Sequence, residues 1–176
     1  MLNQFDTGSE RHKRTQSIQY PVKVAPGPFG LSKGMSKAEI QTITRLNLNE
    51  GSPNLYVTKV VPVPHESFEF YILMIDPHLG LCNIEAHGKT IQTNSQGDSL
   101  RFEFNKMKTV LAEKYGPISD DVDQVKDGSF FKSPGSWMIA LNKKERELMA
   151  IWENKGDKQL GNELSAVALI AAADSI

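Results

Sequence analysis

Cys82 is the only cysteine of the chain and so its only candidate thiol nucleophile. Thiolate chemistry needs an imidazole within hydrogen-bond reach. His87 has the opposite parity to Cys82 in the strand expected around them, and no spacing brings His65 or His78 near. Cys82 therefore reads as a small core residue sharing a face with Ile84 and Ala86. The histidines His12, His65, His78 and His87 are scattered, without the His-x-x-x-His or Cys-x-x-Cys pairs that hold zinc, so no metal or cofactor is expected. The aspartates Asp120, Asp121, Asp123 and Asp127 suggest calcium. An EF-hand loop opening at Asp121 would need an oxygen ligand and then glycine where Val125 and Lys126 stand. These acids read instead as a solvated loop, or as contacts for a basic partner. Glu69 and Asp76 lie on opposite faces of one expected strand, which argues against a paired-carboxylate glycosidase site. The phosphate-cradling glycine loops and the nucleophile elbow are absent from the sequence.

What remains suits recognition better than catalysis. Phe130 and Phe131 are adjacent in a polar stretch between Gly128 and Pro134, so both cannot face one strand surface. At least one is expected to contact a partner or to cap a sheet edge. The charged run Lys143, Lys144, Glu145, Arg146 and Glu147 is expected in an exposed turn. Phe130, Phe131, Asp120, Asp121, Asp123, Lys143, Lys144, Glu145 and Arg146 form the candidate partner-binding set. Trp137 and Trp152 read as core, although Trp is also favoured at binding hot spots. A second reading is a small-molecule-binding protein or an enzyme of unlisted type, with a pocket between helix and sheet near Tyr71, His78 and His87. A third is a self-associating structural or assembly subunit.

The elements that position these residues can be traced along the chain. Ser36 and Glu39 have capping-box spacing, and Met35 and Ile40 take the two positions of a hydrophobic staple, so a helix starts there. It is expected to run from about Lys37 to Asn47, with Ile40, Ile43 and Leu46 on one face. Leu55–Val61 reads as a strand. Phe68–Asp76 is the strongest strand signal, with Phe68, Phe70, Ile72 and Met74 facing one way and Tyr71, Leu73 and Ile75 the other. After a turn at Pro77–Gly80, Leu81–His87 returns as the next strand. A second helix over about Asp98–Lys114 carries the stripe Leu100, Phe104, Met107, Leu111 and Tyr115, with Gly116 and Pro117 to stop it. Ile118–Gly135 reads as loop. Trp137–Leu141 and Leu148–Trp152 suit a hairpin, the second part being strand or helix. Leu164–Ala172 is a last strand or helix.

The expected fold class is α+β, two helix-plus-three-strand units in tandem with each helix on its antiparallel strands. Residues 1–27 form a tail and an extended entry containing the basic run Arg11–Arg14, and 28–176 form one domain with halves at about 28–93 and 94–176. The chain has 176 residues, 39% of them hydrophobic, enough for a core that needs neither disulfide nor metal. Twenty basic against twenty-one acidic residues, a net charge of −1, argue against general attraction to nucleic acid. The first residues lack the pattern of a secretory signal, and no apolar run is long enough for a bilayer, which with the single thiol suggests a cytoplasmic protein outside membranes.

The combination of Phe29-Gly30-Leu31, Gly34-Met35-Ser36 and Glu39, Gly80-Leu81-Cys82, Lys114-Tyr115-Gly116 and Trp137-Met138-Ile139-Ala140-Leu141 resembles a set of small uncharacterised bacterial proteins over about residues 28 to 153. The element order is similar to the helix-and-sheet units of the beta-lactamase inhibitor protein and of the outer-membrane assembly lipoprotein BamE. Such a resemblance implies a protein-binding module and transfers no catalytic residue. The expectation is a non-enzymatic cytoplasmic protein that binds another protein, such as a bacterial immunity or antitoxin protein blocking a toxin.

Overall fold

Alternating apolar residues build two antiparallel sheets, each backed by its own hydrophobic core. The structure, a computed structural model, describes residues 27–49, 51–156 and 159–173, so the basic run Arg11–Arg14 and the rest of the expected tail before residue 27 lie outside the described residues. The first sheet is a four-stranded meander of β1 (Asn47–Leu48), β2 (Leu55–Thr58), β3 (Phe68–Asp76) and β4 (Gly80–Gly88). The short helix α1 (Lys37–Gln41) precedes it. The second sheet orders β5 (Asp120–Val125), β6 (Arg146–Glu153) and β7 (Ala166–Ile170), with α2 (Asp98–Tyr115) before it and α3 (Trp137–Asn142) between β5 and β6. The fold is α+β.

The capping box forms in full: the Glu39 backbone N–H donates to Ser36 Oγ at 3.2 Å, and the Ser36 N–H donates to Glu39 Oε2 at 2.8 Å. Met35 and Ile40 both join the first core, as a staple requires. The helix is shorter than its expected end at Asn47. The run Ile40-Gln41-Thr42-Ile43-Thr44 is rich in β-branched residues, and Thr42 Oγ1 donates to the Glu39 carbonyl at 2.6 Å, offering the backbone an alternative to further turns. Ile43 and Leu46 still pack on the core. Thr44 and Thr58, both buried, share a hydroxyl–hydroxyl bond of 2.7 Å, which satisfies two polar groups that burial would otherwise penalise.

In β3, Tyr71, Leu73 and Ile75 are buried and enter the core, as the alternation predicts. Phe68 departs from it. A register shift between Phe68 and Phe70 turns its ring to the core side, edge-on to Phe29 at 5.6 Å. A second shift, between Met74 and Ile75, corrects the expectation for Cys82. The bulge leaves that residue without a partner between Leu81 and Asn83, and its exposed thiol donates to the Met74 carbonyl at 3.4 Å.

Three further expectations are revised. Ile118–Gly135 is not all loop, because Asp120–Val125 pairs with β6 as an edge strand. Its charges hid the strand, yet charged edges are how sheets resist unwanted pairing. Trp137–Leu141 is helical and not a hairpin arm. Trp137, Ala140 and Leu141 are buried at helical spacing while Ile139 is 48% exposed, a pattern that strict alternation cannot produce. β2 stops at Thr58, short of the expected Val61, and the two-residue β1 precedes it. Leu148–Trp152 and the last element resolve as strands.

Gly80 closes the β3–β4 turn at φ +73°, where a Cβ would stand 2.3 Å from the Gly34 carbonyl oxygen. Gly128 has a similar φ of +82° with open space around it. Gly80→Ala is expected to lower unfolding free energy in urea by more than about 2 kcal/mol, strain plus clash, and Gly128→Ala by only about 1 kcal/mol. Equal losses at the two sites would contradict this packing.

The carboxyls of Glu39 and Asp76 are both held below their ordinary values of 4.5 and 3.8, Glu39 by the Ser36 hydroxyl and N–H and Asp76 by the N–H groups of Leu79 and His78. A lowered folded pKa means the stabilisation is complete above the unfolded value and disappears as pH falls through the folded one. Thermal midpoints are therefore expected to drop on acidification below about 4.5, and Ser36→Ala is expected to drop less steeply over that range.

Candidate functional site

Alternation along β6 divides the second sheet into two chemically different faces. Leu148, Ala150 and Trp152 are buried and point toward the helices, joined by Val167 and Leu169 of β7 and by Phe104, Leu111 and Tyr115 of α2. Trp152 is 0% exposed and donates its indole N–H to the Gly116 carbonyl at 3.0 Å, tying the middle strand to the end of α2. The helix starts where Asn94 and Thr93 accept the N–H groups of Asp98 and Ser99. Both ends of α2 are thereby fixed over this face.

Among the described residues no helix lies on the opposite face, and none of its strand residues joins the core cluster. Register places Val122, Met149 and Ile170 in one row across the three strands, and Asp120, Ile151 and Ala168 in the next. Val122, Met149 and Ile151 are half-buried, and Ile170 is 65% exposed. Glu147 and Glu153 flank the rows on β6, with Lys126 paired to Glu147 at 3.2 Å. The result is an apolar centre with a mainly acidic rim.

The expected binding residues are divided between these surfaces. Asp120 lies on the open face, at its edge. Asp121 and Asp123 share the helix-side parity and meet cations of α2 and β6. Lys108 donates to Asp121 at 3.0 and 3.1 Å, Arg146 donates to Asp123, and Arg101 stands 3.9 Å from Asp123. These side chains border a groove of about 220 Å³ lined by Arg101, Asn105, Lys108, Asp121, Asp123 and Leu148. The guanidiniums of Arg101 and Arg146 also lie 5.7 and 5.4 Å from the centre of the Trp137 ring, a cation–π contact on a residue only 4% exposed. Trp137 in turn packs against the backbone of Gly97, where a Cβ would come within 2.5 Å of the ring. Asp121, Asp123 and Arg146 are thus engaged in ion pairs within the chain.

Glu145 is half-buried. Lys143 and Lys144 are exposed in the turn into β6, Lys144 at φ +57°. That turn and the loop carrying Phe130 lie at the same end of the sheet, since the Lys126 N–H donates to the Glu145 carbonyl at 2.8 Å. Phe130 is 95% exposed, while Phe131 is half-buried. The residues of the expected small-molecule pocket do not converge. Tyr71 is in the core, His87 stacks on Phe70 at 4.4 Å on the other face of the first sheet, and His78 is in an exposed turn.

Reasoning from sequence missed Val122, Met149, Ile151 and Ile170. The signal was present as apolar residues of odd parity in β6, but only the pairing of β5 and β7 shows that they form one surface. No helix of the described residues is long and apolar enough to cross a membrane, and the described residues hold no cluster of His, Cys, Asp and Glu able to bind a metal. No family model, curated protein or solved structure matches this chain.

Asp123→Asn is expected to destabilise the fold by about 1 kcal/mol, because a half-buried guanidinium loses its counter-charge. Asp121→Asn should cost less, its lysine partner being a flexible point charge. Urea titrations of the two variants, with Arg146→Met completing a double-mutant cycle at Asp123, measure both effects. A coupling of zero at that cycle would show the ion pair to be idle.

Proposed function

We propose that this chain is a non-enzymatic protein-binding module that acts by covering its partner's surface, as a bacterial immunity or antitoxin protein does to a toxin. The observation that carries this reading is the open face of the second sheet, where Val122, Met149, Ile151 and Ile170 sit together with no helix of the described residues above them. Recognition surfaces combine an apolar centre with a polar rim. An apolar sheet face left in water otherwise favours nonspecific association.

The rim acids Asp120, Glu147 and Glu153 favour a partner that is basic around its contact site, and they speed and orient its approach more than they tighten the final complex. Phe130 offers an aromatic anchor at the lysine-bearing end of the same sheet. A reducing cytoplasm suits the exposed, unpaired thiol of Cys82.

The test uses the tagged chain and a Met149→Asp/Ile170→Asp double variant as parallel baits in native lysate. Neither position supports the core, so folding is expected to change by no more than about 1 kcal/mol for the pair. The expected result is a stoichiometric protein partner on the wild type, lost from the variant, with a wild-type on-rate that falls as salt rises. A wild type that retains no stoichiometric partner, or a variant that retains the same one, would refute the proposal.

A further inference from the structure

We infer that two copies of this chain pair antiparallel through β7, joining their second sheets into one six-stranded sheet across a two-fold axis at Ala168. β7 is a sheet edge, and its hydrogen-bond phase is fixed by neighbouring contacts. The Ala171 N–H donates to the Leu148 carbonyl at 2.9 Å and the Asn154 N–H to the Ser165 carbonyl at 3.2 Å. Residues 165, 167, 169 and 171 therefore turn their backbone groups toward β6. The N–H and C=O groups of Ala166, Ala168 and Ile170 point the other way, and no backbone hydrogen bond from another described element reaches them. Unpaired groups of this kind are what a further strand satisfies.

The occupant is identified by comparing the free edges. β5 carries Asp120, Asp121 and Asp123, so pairing it with its own copy would oppose like charges. β4 is bulged at Cys82, and its Leu81 is already bonded by the backbone of Gly34 at 2.9 Å and Met35 at 2.8 Å. β7 has none of these guards: Ala-Val-Ala-Leu-Ile has no charge, no proline and no bulge. It is also complementary to itself. A two-fold axis at Ala168 sets alanine against alanine, places Ala166 of each copy opposite the large Ile170 of the other, and pairs Val167 with Leu169. On the open face each Ala166 then leaves room for an Ile170, and on the helix side the branched Val167 and Leu169 meet. Such a symmetric contact closes on itself as a dimer and does not propagate.

Pairing would join the two open faces: the row of Asp120, Ile151 and Ala168 meets the same row of the other copy, and the row of Val122, Met149 and Ile170 runs on into the other copy's Ala166 and Glu153. The inference does not depend on the partner-binding reading, since it needs no second protein to test.

Light scattering coupled to size exclusion, at about 100 μM, where a contact of micromolar Kd is saturated, is expected to give twice the 19.6 kDa chain mass. Dilution should return the single mass. Ala168→Pro deletes one outward N–H without touching the bonds to β6, and proline is tolerated on edge strands. It is expected to be monomeric at that concentration, with unchanged circular dichroism and the melting temperature of the diluted, monomeric wild type. If the proline variant misfolds, Ala168→Lys decides: its side chain lies on the open face and would oppose its own copy at the axis, so it too should be monomeric. A wild type that stays monomeric, or a folded variant that stays dimeric, overturns the inference. A β7 that serves a strand from a different protein would produce the first of these results.

Discussion

The placement of Trp152 governs the second half of the molecule. Its indole is fully buried on the helix side of the middle strand and its N–H is satisfied by the last carbonyl region of α2, at Gly116. An indole that size cannot move to the other face without leaving both a cavity and an unpaired donor, each costing a few kcal/mol. Because side chains alternate strictly along a strand, fixing Trp152 fixes every neighbour on β6. Leu148 and Ala150 follow it inward, and Met149 and Ile151 are compelled outward. The open apolar face is therefore a consequence of how the core is anchored, and a one-residue slip would exchange the two.

Much of this was legible in the residues. The capping box at Ser36 and Glu39, the strand Phe68–Asp76 and the helix from Asp98 to the Gly116 stop all rest on local chemistry, and local chemistry is what a sequence displays. The failures came where long-range pairing prevailed over local preference. Asp120–Val125 is polar and would not form a strand alone; it does so because β6 offers a ladder and because Lys108, Arg101 and Arg146 neutralise its inward aspartates. Trp137–Leu141 looked like a strand by composition, yet its burial at three- and four-residue spacing belongs to a helix seated on Gly97. Cys82 was misplaced by a single bulged residue, which inverts parity from that point toward the turn. Of the candidate site, the exposed Phe130, Lys143 and Lys144 were readable, whereas the apolar rows were not, since three strands distant in sequence compose them.

The two sheets use different means to keep their edges inert. The first is shielded by brevity at β1, only two residues long, and by the backbone of Gly34 and Met35 at one end of β4. The second guards β5 with carboxylates, and no described element covers β7. An unguarded apolar edge is a hazard for a monomer that never uses it, because any extended chain can add to it. Its persistence beside a well-protected edge is the physical reason for treating β7 as a working surface.

The acidic stretch at Asp120–Asp123 shows how one charge run can serve opposite ends. Strand parity directs Asp121 and Asp123 beneath α2, where they hold three cations, two of which in turn lie over Trp137. Asp120, between them and the chain's turn from α2, faces away and joins Glu147 and Glu153 around the apolar rows. Neutralising the inward pair would loosen the helix from the sheet, and with it the anchoring that keeps Met149 and Ile151 outward. Neutralising Asp120 alone would leave that anchoring intact and remove only rim charge. Rim charge and ion pairing to the helix are thus separable at adjacent residues of the same strand, because the pleat sends one carboxylate to water and its neighbour to the helix.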